Sequence, residues 1–290
     1  MLFRSGSVAA LLAMPRAAGL FGRAIAQSVQ GTSFTPDLAR DIARACATEL
    51  GLRATAADLA TVNPHLLPAA GDEVAAHLDA HTAAWGRAAH GSILFAPVVD
   101  GEILTTTPWQ ARPAVDLLVG HTRDEHRLFT ALDEVTEQQL ATVAELFAPG
   151  PYPAAEPLRR YEWILSDWQF RMPSLHLAER AAEHVAVHFY ELTWCGVLNA
   201  CHGLDVPLVF GNLTSGLPAT LIDDQVGAEA VSAQMQAAWV AFATSGEPGW
   251  PTFDTGLVRI FDCEPAVVPY PETQSRRIWR DHTFPPLELC

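Results

Sequence analysis

The alternation of short apolar runs with longer helical patterns constrains the fold of this chain most. Val115 to Gly120 is a compact apolar run, which is typical of a strand buried on both faces of a sheet. Gly227 to Thr244 has one apolar stripe at helical spacing, which predicts an amphipathic helix. Strands separated by helices indicate an α/β fold with a mainly parallel sheet. Further strands are predicted at Val185–Leu192 and Val258–Phe261, the last as an edge strand, and a hairpin is predicted over Ile93–Gly101. The apolar stretch Arg23–Gln27 fits either a buried strand or a helix end.

The charge balance argues against a nucleic-acid partner. Acidic residues number 33 and basic residues 18, which gives a net charge of −15, and every basic residue is an arginine. A strongly acidic surface repels phosphate backbones. We therefore expect no binding to nucleic acid.

No apolar run approaches the roughly 20 residues that a membrane-spanning helix needs. Arg4 and the apolar stretch Val8–Met14 have the outline of a short signal peptide, but the single charge and the interruption at Pro15 favour a buried helix. We expect a cytoplasmic protein without membrane contact, with secretion as the alternative. The five cysteines form no CxxC motif, and no metal or organic cofactor is expected.

Five segments, in order along the chain, resemble the type-B carboxylesterase family, which includes cholinesterases and bacterial para-nitrobenzyl esterases. They are Gly6–Ser28, Phe95–Gly101 (with the sequence PVVDG), Leu118–Glu125, Cys201–Gly211 and Trp239–Pro248. The resemblance implies an α/β-hydrolase fold in one domain, residues 1–290, that corresponds to the carboxyl-terminal part of the family domain. The expected sheet is incomplete: it is the second half of a mainly parallel sheet with flanking helices.

The resemblance implies that Glu125 is the catalytic acid, in a turn that follows the buried run ending at Gly120. The carboxyl edge of a parallel sheet is where such sites gather. From the residues alone, a solvated surface charge is the alternative for Glu125. The adjacent Asp124 competes for the role, or holds the turn by bonding backbone amides. His126 stands where the family usually has glycine.

His202 is the expected general base, because the segment Cys201–Gly211 resembles the family's histidine loop. It follows Glu125 by 77 residues, in agreement with the order nucleophile, acid, histidine of α/β-hydrolases. In this chemistry the histidine carries the nucleophile's proton and the carboxylate orients the imidazole. His121, close to Glu125 in sequence, is a candidate local hydrogen-bond partner.

The nucleophile has only a weak candidate, Ser5. No Gly-x-Ser-x-Gly motif and no Gly-Gly dipeptide occur in the 290 residues, and an ungapped comparison places Leu2 at the family's serine. A gap of about three residues places Ser5 there, flanked by Phe3 and Ser7 where the strained nucleophile turn needs glycines. Ser28 is expected, by resemblance, to be a buried structural serine beside the site.

The function expected from the family is carboxylic ester hydrolysis, with a small-molecule carboxylic ester as substrate. Because the nucleophile and the oxyanion loop are missing, we expect a truncated chain that needs a complementary chain to supply them. The alternatives are a catalytically inactive esterase-like module that binds a partner, and an active short hydrolase that uses Ser5.

Overall fold

The structure is a computed structural model that describes residues 4–290. These residues form two compact units. The first unit contains the chain up to Gly31 together with Pro108–Phe284, and the second contains Thr32–Thr107 together with Pro285–Cys290. The assignment of residues 1–290 to one domain stays a prediction.

The helices in chain order are α1 (Arg4–Ala13), α2 (Pro36–Glu49), α3 (Ala56–Leu59), α4 (Leu66–Ala76), α5 (Thr82–Trp85), α6 (Arg87–His90), α7 (Arg127–Thr130), α8 (Glu137–Phe147), α9 (Pro157–Ser166), α10 (Met172–Ala182), α11 (Asp205–Phe210), α12 (Gln225–Ser245) and α13 (Thr273–Trp279). A π-helical turn, Asp167–Arg171, joins α9 to α10. Short 3₁₀ turns lie at Pro15–Ala17, Leu78–His81, Leu217–Leu221 and Phe253–Thr255. No helix among residues 4–290 has both the length and the apolarity needed to cross a membrane.

The first unit holds a five-stranded sheet whose spatial order equals the chain order. The strands are β1 (Arg23–Gln27), β2 (Asp116–Thr122), β3 (Val187–Leu192), β4 (Leu257–Phe261) and β5 (Ala266–Pro269). The first four pair in parallel, and β5 pairs antiparallel with β4. The expected α/β class with a mainly parallel sheet is confirmed. The prediction that Val258–Phe261 forms the edge is wrong, because the short β5 covers it.

The centre of the sheet is buried on both faces, as the apolar run in β2 predicts. Leu117, Leu118 and Val119 have no exposed surface, and all six residues of β3 are buried. Helix α12 packs its apolar stripe against Leu118 and Tyr190 on one face, and α10 packs against β2 and β3. Two buried central strands thus end at the edge of the sheet where the candidate residues lie.

Helix α12 shows how local sequence sets the element bounds. The Asp224 side chain accepts a hydrogen bond from the Gly227 amide (3.1 Å), which caps the amino end. Gly246 ends the helix with a φ of +88°, a left-handed conformation that glycine adopts without steric cost.

The predicted hairpin over Ile93–Gly101 in the second unit is wrong. Val98 forms only an isolated parallel bridge, with Phe34. Asp100 does not close a two-residue turn, because its Oδ1 accepts hydrogen bonds from the amides of Glu102, Ile103 and Leu104. The carboxylate therefore organises a wider loop, which competes with hairpin pairing.

Candidate active site

Glu125 lies in a turn directly after β2, at the carboxyl edge of the parallel strands. Its side chain has no exposed surface, so it is not a solvated surface charge. Its Oε2 lies 2.6 Å from Nδ1 of His202, and His202 donates its backbone N–H to the Glu125 carbonyl over 3.1 Å. The structure thus brings together the two residues that the sequence analysis singled out as acid and base.

His202 lies in the loop after β3, and its side chain is also buried. Because Nδ1 donates to the carboxylate, the basic nitrogen of the neutral ring is Nε2. The ring of Phe170 stacks on the imidazole, with 4.2 Å between the ring centroids and 26° between the planes. The imidazole is therefore fixed in one tautomer and one orientation, as a general base requires.

Ser28, the residue directly after β1, forms a hydrogen bond with Glu125. Its Oγ donates to Oε1 of Glu125 over 2.5 Å, and the Thr122 amide donates to the same oxygen over 2.9 Å. Ser28 has a φ of +54°, a region that residues other than glycine seldom adopt and that often marks a functional site. This contact agrees with the expected structural role of Ser28 beside the site.

Three contacts hold Glu125 ionised. Burial by itself raises the pKa of Glu125, but the charge and hydrogen bond of His202 and the Ser28 hydrogen bond lower it below its usual value. The carboxylate that stabilises an imidazolium is thus the form present at neutral pH.

Asp124 connects the acid turn (residues 123–126, which carry Glu125) to the loop that carries His202. The Asp124 amide donates to the Ala200 carbonyl over 2.9 Å, and the Ala200 amide donates to Asp124 Oδ2 over 3.3 Å. This is the turn-holding alternative that the sequence analysis left open. The spacing between Glu125 and His202 is set partly by this clamp.

Three further residues anchor the segment that follows His202, and sequence analysis missed them. Asp205 Oδ2 accepts hydrogen bonds from Gln27 Nε2 (2.7 Å) and from the Tyr190 hydroxyl (3.1 Å). All three lie on different elements, β1, β3 and the start of α11. No local sequence signal marks such a contact, since Gln27 and Asp205 are 178 residues apart.

Two neighbouring histidines, His121 and His126, are neutral at pH 7. His121 donates from Nδ1 to the Thr122 carbonyl and accepts from the Tyr270 hydroxyl, both over 3.0 Å, so it is not hydrogen bonded to Glu125. Burial, then the charge of Arg171, lowers the pKa of His121 to about 4. The ring of His126 packs against Phe129, and burial, then the nearby His202, lowers its pKa to about 4. The acid turn accommodates this larger side chain and keeps the contact between Glu125 and His202.

Ser5 makes its contact with β1. Its Oγ accepts a hydrogen bond from the Gln27 amide over 2.9 Å, on helix α1 near the start of the described residues. The structure therefore brings Glu125, His202 and Ser28 together, whereas the hydroxyl of Ser5 is engaged with the backbone of a strand. Leu2 and Phe3 lie outside the described residues.

A second buried carboxyl group belongs to Glu191 on β3. Burial, then repulsion from Glu272, raises the pKa of Glu191 to about 8. Its Oε1 has no hydrogen-bond partner among the described residues and lies 3.9 Å from His121 Nδ1. Since an unfolded glutamate titrates near pH ~4.3, the folded chain keeps a proton that the unfolded chain has released at neutral pH. Stability therefore falls as the pH rises toward about 8.

Glu191→Gln keeps the shape of the side chain but cannot ionise, so the variant should lose less stability than the wild type as the pH rises. We expect the difference between about pH 5 and pH 9 to be on the order of 4 kcal/mol in the free energy of unfolding. Urea unfolding at a series of pH values measures it. Glu145→Gln, at an exposed position, is the control and should follow the wild type; equal slopes for all three proteins would contradict the prediction.

Comparison with known proteins identifies proteins that are similar to this chain. The sequence model described as the carboxylesterase family matches residues 5–148. The para-nitrobenzyl esterase of Bacillus subtilis is 29% identical over 303 residues, which cover 93% of this chain and 59% of that protein. The chain thus spans about three fifths of the length of this relative.

Solved structures give the same result. A PNB esterase superposes with a TM-score of 0.77 at 28% identity, over 94% of this chain and 60% of that chain. A thermophilic PNB esterase has a TM-score of 0.77 at 27% identity, over 94% of this chain and 60% of that chain. A carboxylesterase of Geobacillus stearothermophilus has a TM-score of 0.76 at 26% identity, over 95% of this chain and 62% of that chain. The sheet and helices described above therefore have the α/β-hydrolase fold.

Proposed function

Because this chain belongs to the carboxylesterase family, we propose that it takes part in the hydrolysis of carboxylic esters through an acyl-serine intermediate. The observation that carries the proposal is the 2.6 Å contact between Glu125 and His202, both buried at the carboxyl edge of the sheet. A carboxylate paired with an imidazole in this way serves to activate a nucleophile.

In the proposed mechanism His202 moves the proton in both halves of the reaction. Its Nε2 accepts the proton of a serine hydroxyl while the serine oxygen attacks the ester carbonyl carbon, and returns that proton to the departing alcohol. Water then repeats the sequence on the acyl-serine and releases the carboxylic acid. Glu125 stabilises the imidazolium formed in each half, and side chains and water suffice for the chemistry.

We further propose that the serine and the oxyanion donors are not among these 290 residues and can be supplied by a complementary polypeptide. The 290 residues contain no Gly-x-Ser-x-Gly, and the chain spans about three fifths of the relatives' length. The Ser5 hydroxyl is engaged with β1 and lacks the flanking glycines of a nucleophile turn. The intact Glu125–His202 pair favours hydrolysis over the alternative of a non-catalytic binding module.

The test combines this chain with a polypeptide corresponding to the part of the B. subtilis para-nitrobenzyl esterase that it does not match, and follows release of para-nitrophenol from a para-nitrophenyl ester. We expect turnover from the combination and none from either part alone, with loss of turnover on His202→Ala. Turnover by this chain alone that disappears on Ser5→Ala would overturn the assignment of the nucleophile. Absence of turnover in every combination would support the binding module instead.

A further inference from the structure

We propose that Arg171, on the π-helical turn Asp167–Arg171, is a positioning residue for the catalytic carboxylate; the inference rests on the proposed function. Nη1 of Arg171 donates to the carbonyl of Arg123 over 3.0 Å. Arg123 is the first residue after β2, two residues before Glu125. The guanidinium therefore holds the backbone two residues before Glu125.

The guanidinium is itself fixed on its other sides. Nε donates to Asp167 Oδ1 over 2.8 Å, and Nη2 donates to the Ser275 hydroxyl over 3.0 Å. Glu272 Oε2 lies 3.3 Å from Nη1. The side chain is only 5% exposed. A planar fork held at every nitrogen can transmit a fixed position to the Arg123 carbonyl, which a flexible ammonium cannot do as well.

The rest of the acid turn depends on the same kind of support from other elements. The Arg123 amide donates to the backbone carbonyl of Leu192 in β3 over 3.0 Å, and the His126 amide donates to Ser166 Oγ over 2.9 Å. The Arg123 carbonyl, in contrast, is held by a charged side chain, that of Arg171. Loss of that contact would free the backbone two residues before Glu125.

Two adjacent residues of the π-helical turn contact the two parts of the acid–base pair. Phe170 stacks on the imidazole of His202, while Arg171 reaches the turn that carries Glu125. Extra residues in a helical turn are rare and often mark functional sites, because they redirect side chains that a regular helix would place elsewhere. The two halves of the acid–base pair are thus aligned from one five-residue segment.

A cavity of about 240 Å³ behind the acid turn makes the proposal testable by chemical rescue. Arg123, Asp124, Ser166, Arg171 and Glu272 are among its lining residues. Arg171→Ala would leave a void that adjoins this cavity, and a free guanidinium ion has the shape and charge to occupy it. Arg171→Lys keeps the positive charge beside Asp167 but cannot also hold the Arg123 carbonyl in the same geometry.

The first readout is independent of turnover. The hydrogen bond between His202 and Glu125 should give a far-downfield proton resonance of the imidazole N–H in this chain, assigned by its loss in His202→Gln. We expect Arg171→Lys and Arg171→Ala to shift or lose this resonance, and low, non-denaturing guanidinium to restore it in Arg171→Ala. Urea and sodium chloride at the same concentration should not restore it.

The second readout uses the complemented assembly. We expect Arg171→Lys to lower kcat about 10²-fold with KM little changed, because misplacing a catalytic group acts on the chemical step. Arg40→Ala removes an arginine from an exposed pair with Asp37 and should leave both readouts as in the wild type. A folded Arg171→Lys with an unchanged resonance would overturn the role of Arg171 and leave the proposed function standing. A wild-type assembly without turnover but with a resonance that depends on Arg171 would overturn only the function.

Discussion

Glu125→Gln should lower kcat of the complemented assembly by about 10⁴-fold, which is the effect expected when the partner of a catalytic histidine loses its charge. Glu125 Oε2 accepts from His202 Nδ1 over 2.6 Å, and that bond sets the tautomer of the ring. A glutamine can instead donate its amide N–H to Nδ1, which moves the ring proton to Nε2. The ring then cannot accept the proton of the nucleophile.

The control is Glu134→Gln, which makes the same chemical change at an exposed position of the same unit. It should retain the wild-type kcat. Steady-state hydrolysis of a para-nitrophenyl ester measures both variants. A kcat for Glu125→Gln within about tenfold of the wild type would mean that Glu125 contributes little transition-state stabilisation, contrary to the role proposed for it.

Gly120→Ala should cost about 3 kcal/mol or more in the free energy of unfolding, because the site has no room for a methyl group. A Cβ at this position of β2 would lie 2.2 Å from the backbone oxygen of Tyr190 and 2.4 Å from an atom of its ring. The backbone of β3 cannot give way cheaply, since both strands are buried at the centre of the sheet. Strands β2 and β3 would have to separate.

Gly22→Ala is the matched control, because a Cβ there meets no heavy atom within 4 Å. Its effect should stay within about 0.5 kcal/mol. Urea unfolding gives both values, with the midpoint shifted and the slope unchanged if only stability is altered. Equal midpoints for the two variants would show that β3 moves more easily than its packing indicates.

Sequence patterns were sufficient for the centre of the fold. The apolar run that ends at Gly120 predicted a strand buried on both faces, and β2 has that burial. The periodicity of Gly227–Thr244 predicted α12 to within two residues at each end. These elements are predictable because local propensity and burial favour the same structure.

Contacts between distant segments were not predictable in the same way. Strand β5 is four residues long and ends at Pro269, so its strand signal is too short to predict a strand from sequence. The apolar run before Asp100 suggested a hairpin, but the carboxylate bonds three following amides and forms a loop. In each case a tertiary or side-chain contact outweighed local propensity.

The residues of the candidate site also differ in how far the sequence could predict them. Glu125 and His202 were identified through short segments that resemble a family, and the structure places them in contact. Arg171 and Asp205 act through contacts with residues far away in the sequence, and nothing in their own segments distinguishes them from surface charges. Side chains that hold a turn or loop in place become visible only when the fold is known.

Labelling of the complemented assembly with an organophosphate, followed by peptide mapping in a mass spectrometer, tests most directly whether Glu125 and His202 activate a serine. We predict one phosphorylated serine, on the complementing polypeptide, with labelling that is lost in His202→Ala. Label on Ser5, or labelling of the His202→Ala assembly at the wild-type rate, would contradict this account.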